Sequence, residues 1–349
     1  MPLDHYIPAT FLASFSLDIQ KPRRKSIISA IDQVTGKPIV APASKLARIK
    51  NLYGLVPDPK KDGRLIDNIW SDYETKLAFA IDELISGSLT SERWTRTLVP
   101  FVACLFLRGP DFNIRFDQRI REITSIEQPE ENTNYSRVFE LQRLLGPVLA
   151  ADWIVAEAVG DGLLITNDLG YAPFIHGPTG QIGMSIPIGH KHILQLIPKR
   201  SRRILAYKNG AWIPKIRYLP LEEKNHIGLN ESIAMFAQRY IFGSDLSTLQ
   251  EYAIHPHNPI PAPEPQNIGF IAGPLAVVHE FTWHRLVSFL EKFSAGDQDP
   301  SFDLDWSRIA NGWAPPVNLP TNLPDFSPSL ARKANVISVS FFDVSGFSN

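Results

Sequence analysis

Apolar residues recur along this chain at two spacings, and the change from one to the other organises it. Tyr73, Leu77, Ala80, Ile81 and Leu84 fall at i, i+4, i+7, i+8 and i+11, which is one stripe of an α-helix. Ser71 with Glu74 three positions on fits a capping box, so the helix is expected to start near residue 72. A second helix is predicted over residues 92–107, with Ser91 as N-cap and Arg108-Gly109-Pro110 as a stop signal. Pro100 falls inside it and removes one internal hydrogen bond. Residues 135–145, before Gly146-Pro147, read as a third helix, and residues 120–133 as an acidic, polar stretch with a loop.

On either side of this helical block the period is shorter. Ile27–Asp32 is a strand candidate, followed by a turn at Thr35-Gly36-Lys37-Pro38. Beyond residue 150, residues 153–159 and 163–166 flank Gly160-Asp161-Gly162 in the manner of a hairpin. Residues 182–188 and 192–197 are further strands, and Asn209-Gly210 is a two-residue hairpin turn between 203–208 and 211–218. Asn230 is placed to cap an amphipathic helix running through Arg239, with Gly243 just past its end. Five prolines between 256 and 265 make 255–267 a loop or linker. A long helix over 275–293, a proline-rich stretch over 315–328 and an alternating segment over 336–342, read as a returning strand, complete the chain. Helices, then hairpins, then helices predict an α+β fold, a helical bundle packed with an antiparallel, hairpin-rich sheet. The expected organisation is a body over 1–254, the proline-rich loop 255–267, and a C-terminal extension 268–349 packed on the same body.

Composition narrows the partners. The 349 residues are 44% hydrophobic, enough for one large core or two modest ones. Thirty-five basic against 36 acidic residues give a formal charge of −1, which excludes nucleic-acid binding through the overall field and leaves only local patches. Lys21, Arg23, Arg24 and Lys25 form one dense basic cluster, and Lys199, Arg200, Arg202 and Arg203 another. They are candidates to grip nucleic acid or a phosphate-containing ligand; solvated turns are the plainer reading. The single cysteine, Cys104, excludes an internal disulfide and a multi-cysteine zinc site, and reads as a small buried hydrophobe. The strongest apolar run, residues 98–107, is half the roughly 20 residues a bilayer span needs. No membrane partner is expected and, with no secretory signal visible, the expected compartment is the cytoplasm.

The opening His5-Tyr6-Ile7-Pro8-Ala9-Thr10-Phe11-Leu12 resembles the start of an uncharacterised bacterial family, domain of unknown function 4238. Residues 45–53, Tyr73-Glu74, the arginine-flanked helix from Arg96 to Arg108, and Asn230 to Ser244 are similar to successive family segments. Leu164-Ile165-Thr166-Asn167-Asp168 resembles the family's Ile-Thr-Ser-Asp-Asn-Pro, with Asn167 in place of the serine and Gly170 in place of the proline. The resemblance covers roughly residues 4–250 in order. It implies a chain plan and a bacterial defence or toxin setting rather than a reaction.

The candidate acid–base residues are His5, Glu74 and Asp168. An imidazole suits proton transfer near neutral pH, although His5 can equally dock the N-terminus. Glu74 can act as base or ligand, or simply complete the capping box. Asp168 closes a strand, where a rigid scaffold meets an open loop; Asn-Asp before a glycine is also ordinary turn chemistry. Arg96, Thr166, Asn167, Asn230 and Arg239 are the candidate substrate-binding residues, with arginine suited to phosphate or carboxylate.

A divalent metal is compatible with this set, but no recognised motif demands one. The histidines of His279-Glu280-Phe281-Thr282-Trp283-His284 are five apart rather than four, and His255-Pro256-His257 has no partner at a recognised spacing. Phosphate-binding glycine loops and a GxSxG elbow are missing. Two readings follow: a hydrolase, nuclease-like, in which His5, Glu74 and Asp168 converge and arginines hold the anion, or a non-catalytic sensor or protein-interaction module.

Overall fold

The computed structural model describes residues 3–54, 65–112, 151–176, 181–197, 205–208, 211–214 and 216–258, with isolated positions 134, 137, 141 and 148. The fold is α+β. Strand β1 (Leu3–His5) pairs antiparallel with β4 (Arg48–Lys50), setting His5 opposite Arg48. Between them lie the short helix α1 (Ala9–Leu12) and the hairpin of β2 (Ile27–Asp32) and β3 (Lys37–Pro42). Helix α2 (Leu65–Ser86) follows, then α3 (Ser91–Arg93), a π-helical turn Trp94–Leu98, and α4 (Val99–Arg108).

The predicted apolar stripe is the packing face of α2: Tyr73, Leu77, Ala80, Ile81 and Leu84 are all buried. Every residue of α4 is buried, Cys104 included. Burial pushes that thiol up to about 12, so it is a core residue rather than a nucleophile. Pro100 is accommodated in the first turn of α4, immediately after the π-helical turn. The wider turn falls where a proline has no N–H to give and would strike the carbonyl four residues back.

Two sheets carry the remainder. In one, β3, β2, β13 (Tyr240–Gly243) and β6 (Thr166–Asn167) lie side by side, all antiparallel. The other has the order β12 (Arg217–Leu221), β5 (Asp152–Ala158), β9 (His192–Ile197), β8 (Gln181–Pro187), β7 (Ala172–His176). Its pairs are antiparallel except β12 with β5. Pro38, Pro173 and Pro220 fall on the edge strands β3, β7 and β12, where a missing donor breaks no inner ladder. Strands β10 (Leu205–Lys208) and β11 (Ala211–Pro214) pair antiparallel, with Lys208 opposite Ala211; Asn209-Gly210 itself lies outside the described residues. Trp94 and Trp153 meet edge to face at 6.2 Å and join the helical layer to the five-stranded sheet.

Three sequence expectations are corrected. Ser71 caps nothing: α2 is already helical at Leu65, and the Ser71 hydroxyl donates to the Asp67 carbonyl one turn back. Gly160-Asp161-Gly162 is a tight turn but not a hairpin, because β5 and β6 belong to different sheets. Lys191 Nζ donates to the carbonyls of Gly160 and Gly162, which folds the turn back on the β8–β9 connection. Asn230 is not an N-cap. It lies inside α5 (Glu223–Phe236), where its side chain accepts from Ile165 N–H and donates to the Leu163 carbonyl. Helix α6 (Leu246–Tyr252) is capped by Asp245, which accepts from Thr248 N–H. Most of the predicted helix over 135–145 lies outside the described residues. So do residues 259–267, the helix over 275–293, the proline-rich stretch 315–328 and the strand over 336–342.

Gly162 is fixed by a close approach. A Cβ there would stand 2.7 Å from the His226 ring, which is itself held by the Leu163 carbonyl. Gly162→Ala is expected to cost about 1–3 kcal/mol in urea unfolding. Its combination with His226→Ala should cost less than the sum of the two single variants.

Candidate functional site

The polar centre of the molecule is built on Arg108, the last residue of α4. Its side chain is 2% exposed, so its donors must be met from within the protein. Nη1 donates to the Tyr73 hydroxyl at 2.9 Å and to the Glu74 carboxylate, and Nη2 donates to the His5 carbonyl. Nε lies 3.4 Å from the Tyr53 hydroxyl. The guanidinium also sits over the Trp70 ring at 5.7 Å and the Tyr53 ring at 5.9 Å. Burial works against this charge, but Glu74, then Tyr73 and Tyr53, hold its pKa well above the ordinary arginine value. Arg108 is a permanent cation committed to β1, α2 and the segment after β4.

A second buried arginine completes the arrangement. Arg137 donates to the carbonyls of Leu107 and Gly109 and to Asn134, and lies 5.5 Å from the Tyr53 ring. A cation at the last carbonyls of α4 complements the negative end of the helix.

His5 and Glu74 stand where this network meets solvent. The Glu74 side chain is 27% exposed, and His5 is half-buried at the end of β1. Among the described residues the His5 ring makes one hydrogen bond, from Nε2 to the Ser44 carbonyl at 3.3 Å. With the proton on Nε2 for that bond, Nδ1 carries the free lone pair. Burial lowers the imidazole pKa below its usual 6.5. Glu74 opposes the shift, while Arg108 and Arg48 add to it. The outcome is a neutral imidazole at pH 7, in the field of one carboxylate and two guanidiniums.

Asp168 belongs to a different network. Its carboxylate accepts the N–H groups of Gln238 and Arg239 at 2.7 Å each and of Tyr240 at 3.1 Å. It thereby clasps the end of α5 to the start of β13. Burial raises its pKa to about 6 against those three bonds, with Asp111 adding to the rise. Burial and then the Asp168 charge push the nearby Tyr6 hydroxyl far above its ordinary value. Asn167 is equally committed: its amide donates to the Tyr171 and Ile233 carbonyls, and its oxygen accepts from Leu169 and Gly170. Gly170 has φ +79°, and a Cβ there would stand 2.9 Å from Leu105, so a proline or bulky residue does not fit this turn. Thr166, Asn167 and Asn230 are fully buried.

The predicted arginines do not join His5. Arg239 follows α5 rather than lying on it, and its Nη2 meets Asp32 at 2.8 Å with half the side chain exposed. Arg96 lies 3.9 Å from Glu92, one turn back on the outer face. Arg96 and Arg108 both flank an apolar helix and no local feature marks Arg108 as the buried one; Glu74 fits capping-box spacing, and Arg48 and Arg137 carry no signal beyond their charge. Among the described residues, no group of three or more His, Cys, Asp or Glu side chains is placed to hold a metal ion. His255 and His257 each face a backbone carbonyl, those of Gln33 and Ala237. No helix among the described residues is long and apolar enough to cross a membrane.

Fold and site together define an α+β protein with two antiparallel-rich sheets and a core ion pair that reaches solvent at His5 and Glu74. The chain belongs to the family of proteins of unknown function DUF4238, which matches residues 4–247. Neither a curated protein nor a solved structure matches it.

A carboxyl whose pKa rises on folding contributes stability that is present below its unfolded value of 3.8 and is lost as pH rises through about 6. Asp168→Asn removes that dependence. Urea midpoints should show the variant gaining on the parent protein by about 2–3 kcal/mol between pH 4 and pH 7. Asp168→Ala, which leaves three donors unmet, should be destabilised by about 1–3 kcal/mol at pH 7 relative to Asp168→Asn.

Proposed function

We propose that this protein is a hydrolase of a phosphate-containing substrate, nuclease-like, working in a bacterial defence or toxin setting. His5 serves as the general acid–base and Glu74 as the carboxylate that tunes it. The observation that carries this reading is that one buried guanidinium holds the His5 backbone carbonyl and the Glu74 carboxylate, 69 positions apart in sequence, and so places two partly exposed side chains in one neighbourhood. An imidazole kept neutral by burial, with no hydrogen-bond partner on Nδ1 among the described residues, suits removal of a proton from an attacking water. Arg48, cross-strand from His5, supplies the positive field that an anionic substrate needs. In this reading Arg108 positions rather than reacts, since each of its nitrogens already has a protein partner. Asp168, Asn167 and Asn230 hold the frame.

Turnover of single- and double-stranded DNA, RNA, nucleotides and p-nitrophenyl phosphate tests the proposal. His5→Gln should lower kcat by 10²- to 10⁴-fold with an almost unchanged melting temperature, because the half-buried ring makes one hydrogen bond among the described residues. The acid limb of kcat/KM for the parent protein should fall below pH 6.5 and flatten toward neutrality, following the lowered pKa of His5. A folded parent protein inactive on every substrate would favour the sensor or interaction reading. Full activity in His5→Gln would remove His5 from the chemistry.

A further inference from the structure

We propose that the loop of residues 17–27 is a docking surface for an anionic lipid bilayer. Leu17 is 63% exposed, Ile19 44% and Ile27 48%, a density of exposed aliphatic side chains that a solvated turn does not need. The same loop carries Lys21, Arg24 and Lys25, all exposed. Lys45 joins them from the 3₁₀ turn Ala43–Lys45, which packs against the turn Arg23–Lys25. No ion pair engages these four cations among the described residues. The fifth, Arg23, is neutralised by Asp82 of α2. One carboxylate, Asp18, shares the loop and accepts from the Gln20 side chain. Four cations against one anion are a concentrated charge on a chain whose formal total is −1.

The loop is already shaped. Gln20 N–H donates to Ser26 Oγ at 2.8 Å, Lys25 N–H to the Pro22 carbonyl and Ser26 N–H to the Arg23 carbonyl. The Ser16 hydroxyl donates to the Asp18 carbonyl. The aliphatic tips are therefore presented without an ordering cost at the moment of contact. Exposed aliphatic side chains on one loop with exposed Lys and Arg match the acyl boundary and the anionic headgroups of a membrane surface together. Residues 17–27 contain no aromatic side chain, so the platform on which nucleic-acid bases stack is missing, and the lipid partner is favoured over nucleic acid. This peripheral contact requires no spanning helix and does not depend on the chemistry at His5.

Vesicle co-sedimentation of the full chain decides the matter. Binding is expected to phosphatidylcholine–phosphatidylglycerol vesicles, not to phosphatidylcholine alone, and to weaken with salt. Lys21→Gln/Arg24→Gln/Lys25→Gln should reduce partitioning about a hundredfold, from three charges near the surface. Leu17→Ser/Ile19→Ser should reduce it severalfold, with melting temperatures unchanged in both. The proposal is overturned if anionic vesicles do not bind, or if the aliphatic pair can be replaced without loss. It is also overturned if the basic cluster retains DNA or RNA in gel shifts while vesicles are ignored.

Discussion

A guanidinium taken out of water must be given partners for all of its donors or the fold loses several kcal/mol. Arg108 meets most of that demand, with a partner on each of its three nitrogens, by gathering the His5 carbonyl, the Tyr53 hydroxyl, the Tyr73 hydroxyl and the Glu74 carboxylate. These groups come from the first strand, the segment after the fourth, and one long helix. Satisfying one side chain therefore ties the N-terminus to the helical layer and fixes where His5 and Glu74 stand. The apolar surroundings, Trp70 and Tyr53 among them, strengthen each of those bonds by excluding water. Two of the predicted acid–base residues come together through that constraint rather than through any direct contact with each other.

The second polar network shows the same physics in a structural role. Asp168 spends its carboxylate on three consecutive N–H groups at the start of β13, and Asn167 spends its side chain on four backbone groups around the turn. Buried side-chain oxygen here replaces the backbone pairing that an irregular chain path cannot provide. The difference between the two networks is exposure. His5 and Glu74 remain reachable, whereas Asp168 and Asn167 lie within the body.

Much of the fold was legible in local pattern. The stripe of Tyr73 to Leu84, the strand Ile27–Asp32, the Asn-Gly hairpin and the stop at Arg108-Gly109 all follow from spacing and turn chemistry, which act within a few residues. What failed was non-local. Ser71 and Glu74 have capping-box spacing, but the helix had begun a turn and a half earlier, so spacing alone could not tell a cap from an interior pair. Gly160-Asp161-Gly162 has hairpin chemistry, yet Lys191 and His226 direct the chain into another sheet. Of the site, the residue types were visible and their grouping was not. Nothing local distinguishes Arg108, with four partners inside the core, from Arg96 on the outer face. The family relationship was carried by short segments in the right order, several of which prove to be the ones that hold these two networks together.

Burial holds the His5 ring neutral and Glu74 works against it, and nitrogen-detected NMR titration of that ring tests this balance most directly. The expected result is a neutral Nε2–H tautomer, an imidazole pKa below 6.5, and a further fall in Glu74→Gln, where a negative charge that raises the pKa is gone. An imidazole titrating at its ordinary value, and unmoved by Glu74→Gln, would contradict it.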